Sequence, residues 1–221
     1  MSEIEQIRER YSRRKARERS SNEILFERFM TKERENIYRR ILKSRFEALS
    51  RVRVLEIGAG TGGNISFFKS AGIAPANIFA NEMLEDRLII LENNHPDINI
   101  IAGDAINIRG SEKFDIVFQS TVFTSILDDS FRKALARQMS ELTKSNGIIL
   151  WYDFIFNNPQ NADVRKVTKR EIKELFPEAS AFRFYRVTLA PPIGRRVGKF
   201  YPLFNLLPFL RTHIIAEIKL M

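Results

Sequence analysis

An α/β protein with a seven-stranded, mostly parallel sheet, an antiparallel hairpin at its C-terminal end and a helical extension at its N-terminus is predicted by three features of the 221-residue chain. From residue 52 onward, short apolar runs alternate with amphipathic stretches, as β-α repeats of a parallel sheet require. The first run ends in the turn Gly58-Ala59-Gly60-Thr61-Gly62-Gly63. Two long alternating runs close the chain, and their number and pattern suit a hairpin added to one sheet edge. A 44% hydrophobic composition supplies one ordinary core.

The elements follow in order. Over residues 21–49, Phe26, Phe29, Met30, Ile37, Ile41, Leu42, Phe46 and Leu49 recur at three- and four-residue intervals among charges, which predicts a one-sided helix. Residues 1–50 are therefore expected to form a helical extension and residues 51–221 the main domain. Residues 7–15 are too charged to pack alone, so they are expected to fray or to be ordered by a ligand or partner. Strands are expected at 52–57, 77–81, 98–102, 114–119 and 147–153, with helices at 64–71, 84–93 and 129–144. A further helix near 169–176 precedes the hairpin strands 182–189 and 212–220. Right-handed crossovers would bring the C-terminal ends of the parallel strands to one edge, where such sheets bind ligands.

Residues 190–211 are far more than a hairpin turn needs and read as an insertion or lid. They combine Arg195, Arg196 and Lys199 with many apolar residues, while Pro202 and Pro208 limit any helix to a short one. A lid over the site is the favoured reading, with docking on anionic lipid and plain core packing as alternatives.

The formal charge of +9 is uneven: residues 1–53 carry +7, residues 54–182 carry −4 and residues 183–221 carry +6. Basic ends around an acidic centre suit an anionic substrate, a membrane surface or solvated helix faces. With no cysteine and only His95 and His213 as imidazoles, thiol nucleophiles, disulfides and thiolate metal sites are excluded, and no metal site is expected. The N-terminus lacks the apolar centre of a signal peptide, and no run is long enough to span a bilayer. The expected setting is cytoplasmic.

Gly58, Gly60 and Gly63 match a dinucleotide-binding pattern literally, so an NAD(P)-dependent oxidoreductase is one reading. Glu56 argues against it, because a carboxylate beside a pyrophosphate is unfavourable whereas a cationic ligand gains from it. Here the segment resembles the first motif of class I S-adenosylmethionine-dependent methyltransferases, with Glu56 in the acidic position and Gly58, Gly60 and Gly62 in the glycine positions. The resemblance covers residues 50–155 and implies a Rossmann-like fold and S-adenosylmethionine as cofactor. It also implies that Glu56, Gly58, Ala59, Gly60 and Gly62 shape the methionine side, and that Glu82, with Met83 beside it, binds the ribose. Asp104 and Ala105 then meet the adenine, and the fourth strand ends at Gln119 beside the transferable methyl.

A narrower resemblance spans residues 119–128, 150–159, 189–192 and 210–213. It links the chain to bacterial methyltransferases associated with surface-polysaccharide assembly and implies O-methylation of a sugar, glycan or other small-molecule hydroxyl. For such chemistry the protein must align donor and acceptor, exclude water and remove one proton. Asp153, ending the fifth strand after an apolar run, is the preferred base, with His213 second and Tyr152 also near the acceptor; Ser120, Asn157, Asn158, Arg195 and Arg196 complete the acceptor-side candidates. Strand four ends in Gln119-Ser120-Thr121-Val122 rather than an Asn-Pro-Pro-aromatic turn, so no DNA substrate is expected, and RNA fits weakly because no arginines interleave with aromatics. A non-catalytic module that keeps the cofactor pocket is the remaining rival.

Overall fold

A computed structural model describes residues 2–13, 20–109, 113–157 and 161–220. The first helices are α1 (Glu3–Ser12) and α2 (Ser21–Arg45), each opened by a capping box, Ser2 with Glu5 and Ser20 with Glu23. The β-α repeats follow as β1 (Val54–Ile57), α3 (Ile65–Ala71), β2 (Ile78–Glu82), α4 (Glu85–Asn94), β3 (Asn99–Ala102), β4 (Phe114–Ser120), α5 (Asp129–Leu142) and β5 (Thr143–Phe154). Then come α6 (Lys169–Leu175), β6 (Ala179–Leu189), α7 (Pro191–Val197), α8 (Tyr201–Phe204) and β7 (Arg211–Leu220).

The sheet order is β3-β2-β1-β4-β5-β7-β6. The first five strands are parallel, and β7 runs antiparallel to both β5 and β6. The sheet is therefore the expected seven-stranded, mostly parallel one with an antiparallel C-terminal hairpin. Pairing of Ile57 with Gln119, Glu82 with Ala102 and Ser120 with Tyr152 aligns the strand ends that carry the candidate residues.

Successive residues of each strand feed opposite layers. Leu55, Val117 and Trp151 pack with Phe123 and the α5 face. Val54, Phe118 and Tyr152 pack with Tyr38, Ile41 and Leu42 of α2. Burying each such large apolar side chain contributes about 1.5–3 kcal/mol, so α2 is held to the sheet by its own stripe. A small third cluster of Phe26, Leu189 and Tyr201 ties α2 to the segment before β7.

Among the differences from expectation, two bear on the site and its surroundings. The fifth strand begins at Thr143, because Thr143 pairs with Phe114 beyond a bulge and ends α5 early. Residues 3–12 form an ordered helix instead of a frayed segment awaiting a partner: Ile7 is buried, and Arg10 pairs with Glu3 at 2.7 Å and donates to the Ser125 carbonyl at 3.0 Å. The charged helix is thus satisfied by the chain's own strand-end loops. No described helix is long and apolar enough to cross a membrane.

Candidate active site

A cleft of about 510 Å³ opens at the C-terminal edge of β1, β2 and β4. Of the ten residues assigned to the cofactor from sequence, Glu56, Gly58, Ala59, Gly60, Glu82, Met83, Asp104 and Ala105 line it. Gly62 and Gln119 do not. Gly62 packs instead on the second helix of the repeat, where an added Cβ would lie 2.4 Å from His95 Cδ2. Gln119 is fully buried behind the wall, accepting from the Val122 amide and donating to Asp153.

The cleft floor is shaped by local chemistry. Gly58 has φ +64°, and a Cβ there would sit 2.8 Å from Val122 Cγ2, so only glycine allows β1 to turn under the cleft. Glu82 accepts three backbone amides, those of Gly60 (2.8 Å), Met83 (2.8 Å) and Leu84 (2.9 Å). One carboxylate thereby joins the glycine turn to the end of β2. Asp104 caps the turn after β3 by accepting from the Ile106 amide at 3.1 Å.

Glu56 is buried; its Oε1 accepts from Asn64 Nδ2 at 2.7 Å, while among the described residues Oε2 has no hydrogen-bond partner. Burial pushes its pKa up to about 8, with the nearby Glu82 acting in the same direction and Asn64 and Arg34 opposing. An orphaned acid in a wall of glycines fits a ligand that brings a cation and no phosphate. With its pKa at about 8 the free protein's Glu56 holds the proton at pH 7, and a bound cation favours the carboxylate, so binding releases it. Calorimetry of S-adenosylhomocysteine binding at pH 7 in buffers of different ionisation heat is expected to show about one proton released. Glu56→Gln should abolish the release, and wild-type binding without proton exchange would contradict this assignment.

A second cleft, also about 510 Å³, lies beside the first and shares Tyr11, Thr121 and Ser125 with it. Tyr11 Oη and Ser125 Oγ are 3.1 Å apart, and Arg87 stacks over the Tyr11 ring at 4.2 Å. Helix α1 thus roofs the boundary between the clefts. Thr121, at the end of β4, has φ +60°, a conformation that is costly for a threonine.

The second cleft is lined by Thr124, Phe154, Asn157, Arg195 and His213. His213 stacks on Tyr152 at 5.2 Å, and burial, reinforced by the Arg34 charge, pushes its pKa down to about 3. It stands there as a neutral ring rather than as a group that titrates near neutrality. Tyr152 is buried, lines neither cleft, and its hydroxyl is 2.9 Å from Thr188 Oγ1. Asp153 also lines neither cleft: its Oδ1 accepts from Thr124 Oγ1 at 2.7 Å and its Oδ2 from Gln119 Nε2 at 3.0 Å. Burial pushes the Asp153 pKa up to about 7 against the lowering effect of those two bonds. Ser120 lines the first cleft and Arg195 the second. Arg196 is exposed, and Asn158 lies outside the described residues.

Sequence reasoning missed Tyr11, Thr124 and Arg34. Arg34 lines the first cleft, donates to Ser120 Oγ at 3.3 Å and sits 4.5 Å over the Tyr152 ring. Its Nε is buried without a partner among the described residues. The signal was present, since residue 34 falls four after Met30 and three before Ile37, on the apolar stripe of α2.

A family described as "Methyltransferase domain" matches residues 54–147. Among solved structures, magnesium protoporphyrin IX methyltransferase from Synechocystis, with bound SAM, is similar at 11% identity and a TM-score of 0.66, covering 99% of this chain and 98% of that one. A SAM-dependent methyltransferase from Archaeoglobus fulgidus gives 17% identity and 0.59, covering 86% and 98%. A glycopeptide N-methyltransferase complexed with sinefungin gives 15% and 0.59, covering 85% and 94%. No curated protein matches in sequence. The family match favours a methyltransferase over the oxidoreductase that the literal glycine pattern also allowed. The chain thus shares the α/β fold of these methyltransferases, and the stretch that matches the methyltransferase-domain family, residues 54–147, is the one whose strand ends and turns build most of the first cleft.

Proposed function

We propose that the enzyme methylates an oxygen of a small-molecule or glycan hydroxyl seated in the second cleft. The observation that carries this reading is the pair Thr124–Asp153, a hydroxyl in the cleft wall bonded to a buried carboxyl whose pKa is raised to about 7. S-adenosylmethionine, when bound, supplies an electrophilic methyl on a sulfonium. The chain's own task is then to remove the acceptor proton as the new bond forms. Thr124 Oγ1 accepts it and passes its own proton to Asp153 Oδ1, so Asp153 acts through Thr124 and His213 helps to orient the acceptor as a neutral ring.

On the donor side, Glu82 takes the ribose hydroxyls, Met83 flanks them, and Asp104 and Ala105 take the adenine. Glu56 and Arg34, each with an unpartnered buried atom and of opposite charge, suit the ammonium and carboxylate of the methionine end. The glycan acceptor rests on the resemblance over residues 119–128, 150–159, 189–192 and 210–213. The similar structures include a glycopeptide N-methyltransferase and a porphyrin methyltransferase, so acceptor chemistry comes from this site and not from the fold.

Two measurements test the reading. Calorimetry is expected to show binding of S-adenosylhomocysteine and none of NADH, with Arg34→Met cutting the preference for S-adenosylhomocysteine over 5′-methylthioadenosine by about tenfold, the worth of one charge-assisted bond. Incubation with methyl-labelled cofactor and panels of hydroxyl and amine acceptors is expected to label hydroxyls. Label confined to amines would overturn the oxygen assignment.

A further inference from the structure

Six of the ten large apolar side chains that stand exposed among the described residues fall between residues 200 and 209: Phe200, Leu203, Phe204, Leu206, Leu207 and Phe209. Leu203 is 62%, Leu206 71% and Phe209 69% exposed, and these three line neither cleft. A patch of this density on a protein surface marks an interaction site.

The backbone beneath it is fixed from behind, so the side chains are not waiting to fold inward. Tyr201 is buried, stacks on Phe29 at 5.4 Å and donates to Glu33 Oε2 at 2.9 Å. Asn205 Nδ2 donates to the other Glu33 oxygen at 2.9 Å, and Arg211 donates to the carbonyls of Asn205 and Arg186. Turning the apolar side chains toward either cleft would break this network.

The charges within the segment have one sign, although Arg195 also pairs with Glu23 of α2 at 3.8 Å. Residues 191–211 carry Arg195, Arg196, Lys199 and Arg211 and no acid; Arg195, Arg196 and Lys199 are exposed. Apolar tips set among cations match the interface of an anionic bilayer, where aromatic and leucine side chains enter the acyl boundary and the cations meet the headgroups. Helix α7 joins this face to the second cleft through Pro191, Pro192 and Arg195. We propose that residues 195–209 dock the enzyme on an anionic lipid surface with the acceptor cleft beside it. This assignment stands on the exposed face alone and is independent of the acceptor's chemistry.

Sedimentation with extruded vesicles tests it, using phosphatidylcholine alone and phosphatidylcholine mixed with phosphatidylglycerol. The wild type is expected to bind the mixed vesicles about tenfold or more tightly than the neutral ones, with binding falling as sodium chloride is raised. A Leu203→Asn, Leu206→Asn, Phe209→Asn variant is expected to lose about tenfold or more of that binding, while its calorimetric affinity for S-adenosylhomocysteine, which reports folding, stays at the wild-type value. Arg196→Gln with Lys199→Gln should flatten the salt dependence. Failure of the wild type to bind, or undiminished binding by the triple variant, overturns the proposal. So does a wild-type dimer in analytical ultracentrifugation that the triple variant splits without any vesicle binding, which would make the face a contact between copies of the chain.

Discussion

Asp153→Asn is expected to lower turnover by about 10²–10⁴-fold, the range for losing a positioned proton acceptor, on any hydroxyl acceptor that the wild type methylates. Asparagine keeps the shape and the Thr124 contact but has no charge to receive the proton. The carboxylate is the working form, so the wild-type rate should rise with pH up to about 7, where burial has set the Asp153 pKa, and then level. In the variant that rise should vanish. A purely structural role predicts a different outcome: weakened S-adenosylhomocysteine binding and a retained pH profile. Thr124→Val should reproduce the loss, because the valine leaves Asp153 without its route to the second cleft. Variants that keep the pH-dependent rise would remove Asp153 from the proton path.

Glu82→Ala is expected to weaken S-adenosylhomocysteine binding by about 1–3 kcal/mol, the range for deleting a buried hydrogen-bonding partner. The effect has two physical sources. In the proposed reading the carboxylate accepts the ribose hydroxyls, and it also holds the amides of Gly60, Met83 and Leu84, which would be left unpaired. Glu82→Gln separates the two, since the amide oxygen can still accept from Gly60 or Met83 but not from all three amides and two hydroxyls. Thermal melts of the free protein should show Glu82→Ala destabilised, because the loop loses those partners without ligand. Unchanged affinity in both variants would mean that β2 delivers some other residue to the ribose.

Most of the sheet was legible because β-α repeats are local signals: a short apolar run, a turn and a helical period are each written within some ten residues. The turn Gly58 to Gly63 and the acids at strand ends, Glu56, Glu82 and Asp104, were legible for the same reason. What stayed hidden depends on long-range meetings. Tyr11 reaches Ser125 across 114 residues, so nothing near Tyr11 announces that α1 roofs the clefts. Asp153 could be placed at a strand end, but its retreat behind Thr124 and Gln119 is a matter of side-chain direction on β5. Glu33 and Arg34 look like ordinary charges on a solvated helix, yet both sit on the inward stripe of α2. Arg34 faces the first cleft, and Glu33 binds the Thr188 amide, Tyr201 and Asn205. A charge at an apolar position of a periodic helix was the readable clue.

Gly62 shows a part that the motif does not announce. Its place in the motif suggested a ligand contact, whereas the structure uses its missing side chain to admit His95, whose Nε2 lies 3.2 Å from the Gly62 carbonyl. A glycine motif read as one unit therefore divides: Gly58 and Gly60 border the cleft and Gly62 supports the packing behind it.

The central claim is that the donor lies over the turn after β1, between Glu56, Glu82 and Asp104, with its sulfur directed at the boundary marked by Tyr11 and Ser125. A crystal structure of the complex with S-adenosylhomocysteine tests it most directly. The expected result is an adenosyl group whose ribose hydroxyls meet Glu82, whose ammonium approaches Glu56 and whose sulfur faces the second cleft. A ligand seated elsewhere, or one whose sulfur points away from Thr124 and Ser125, would contradict the assignment.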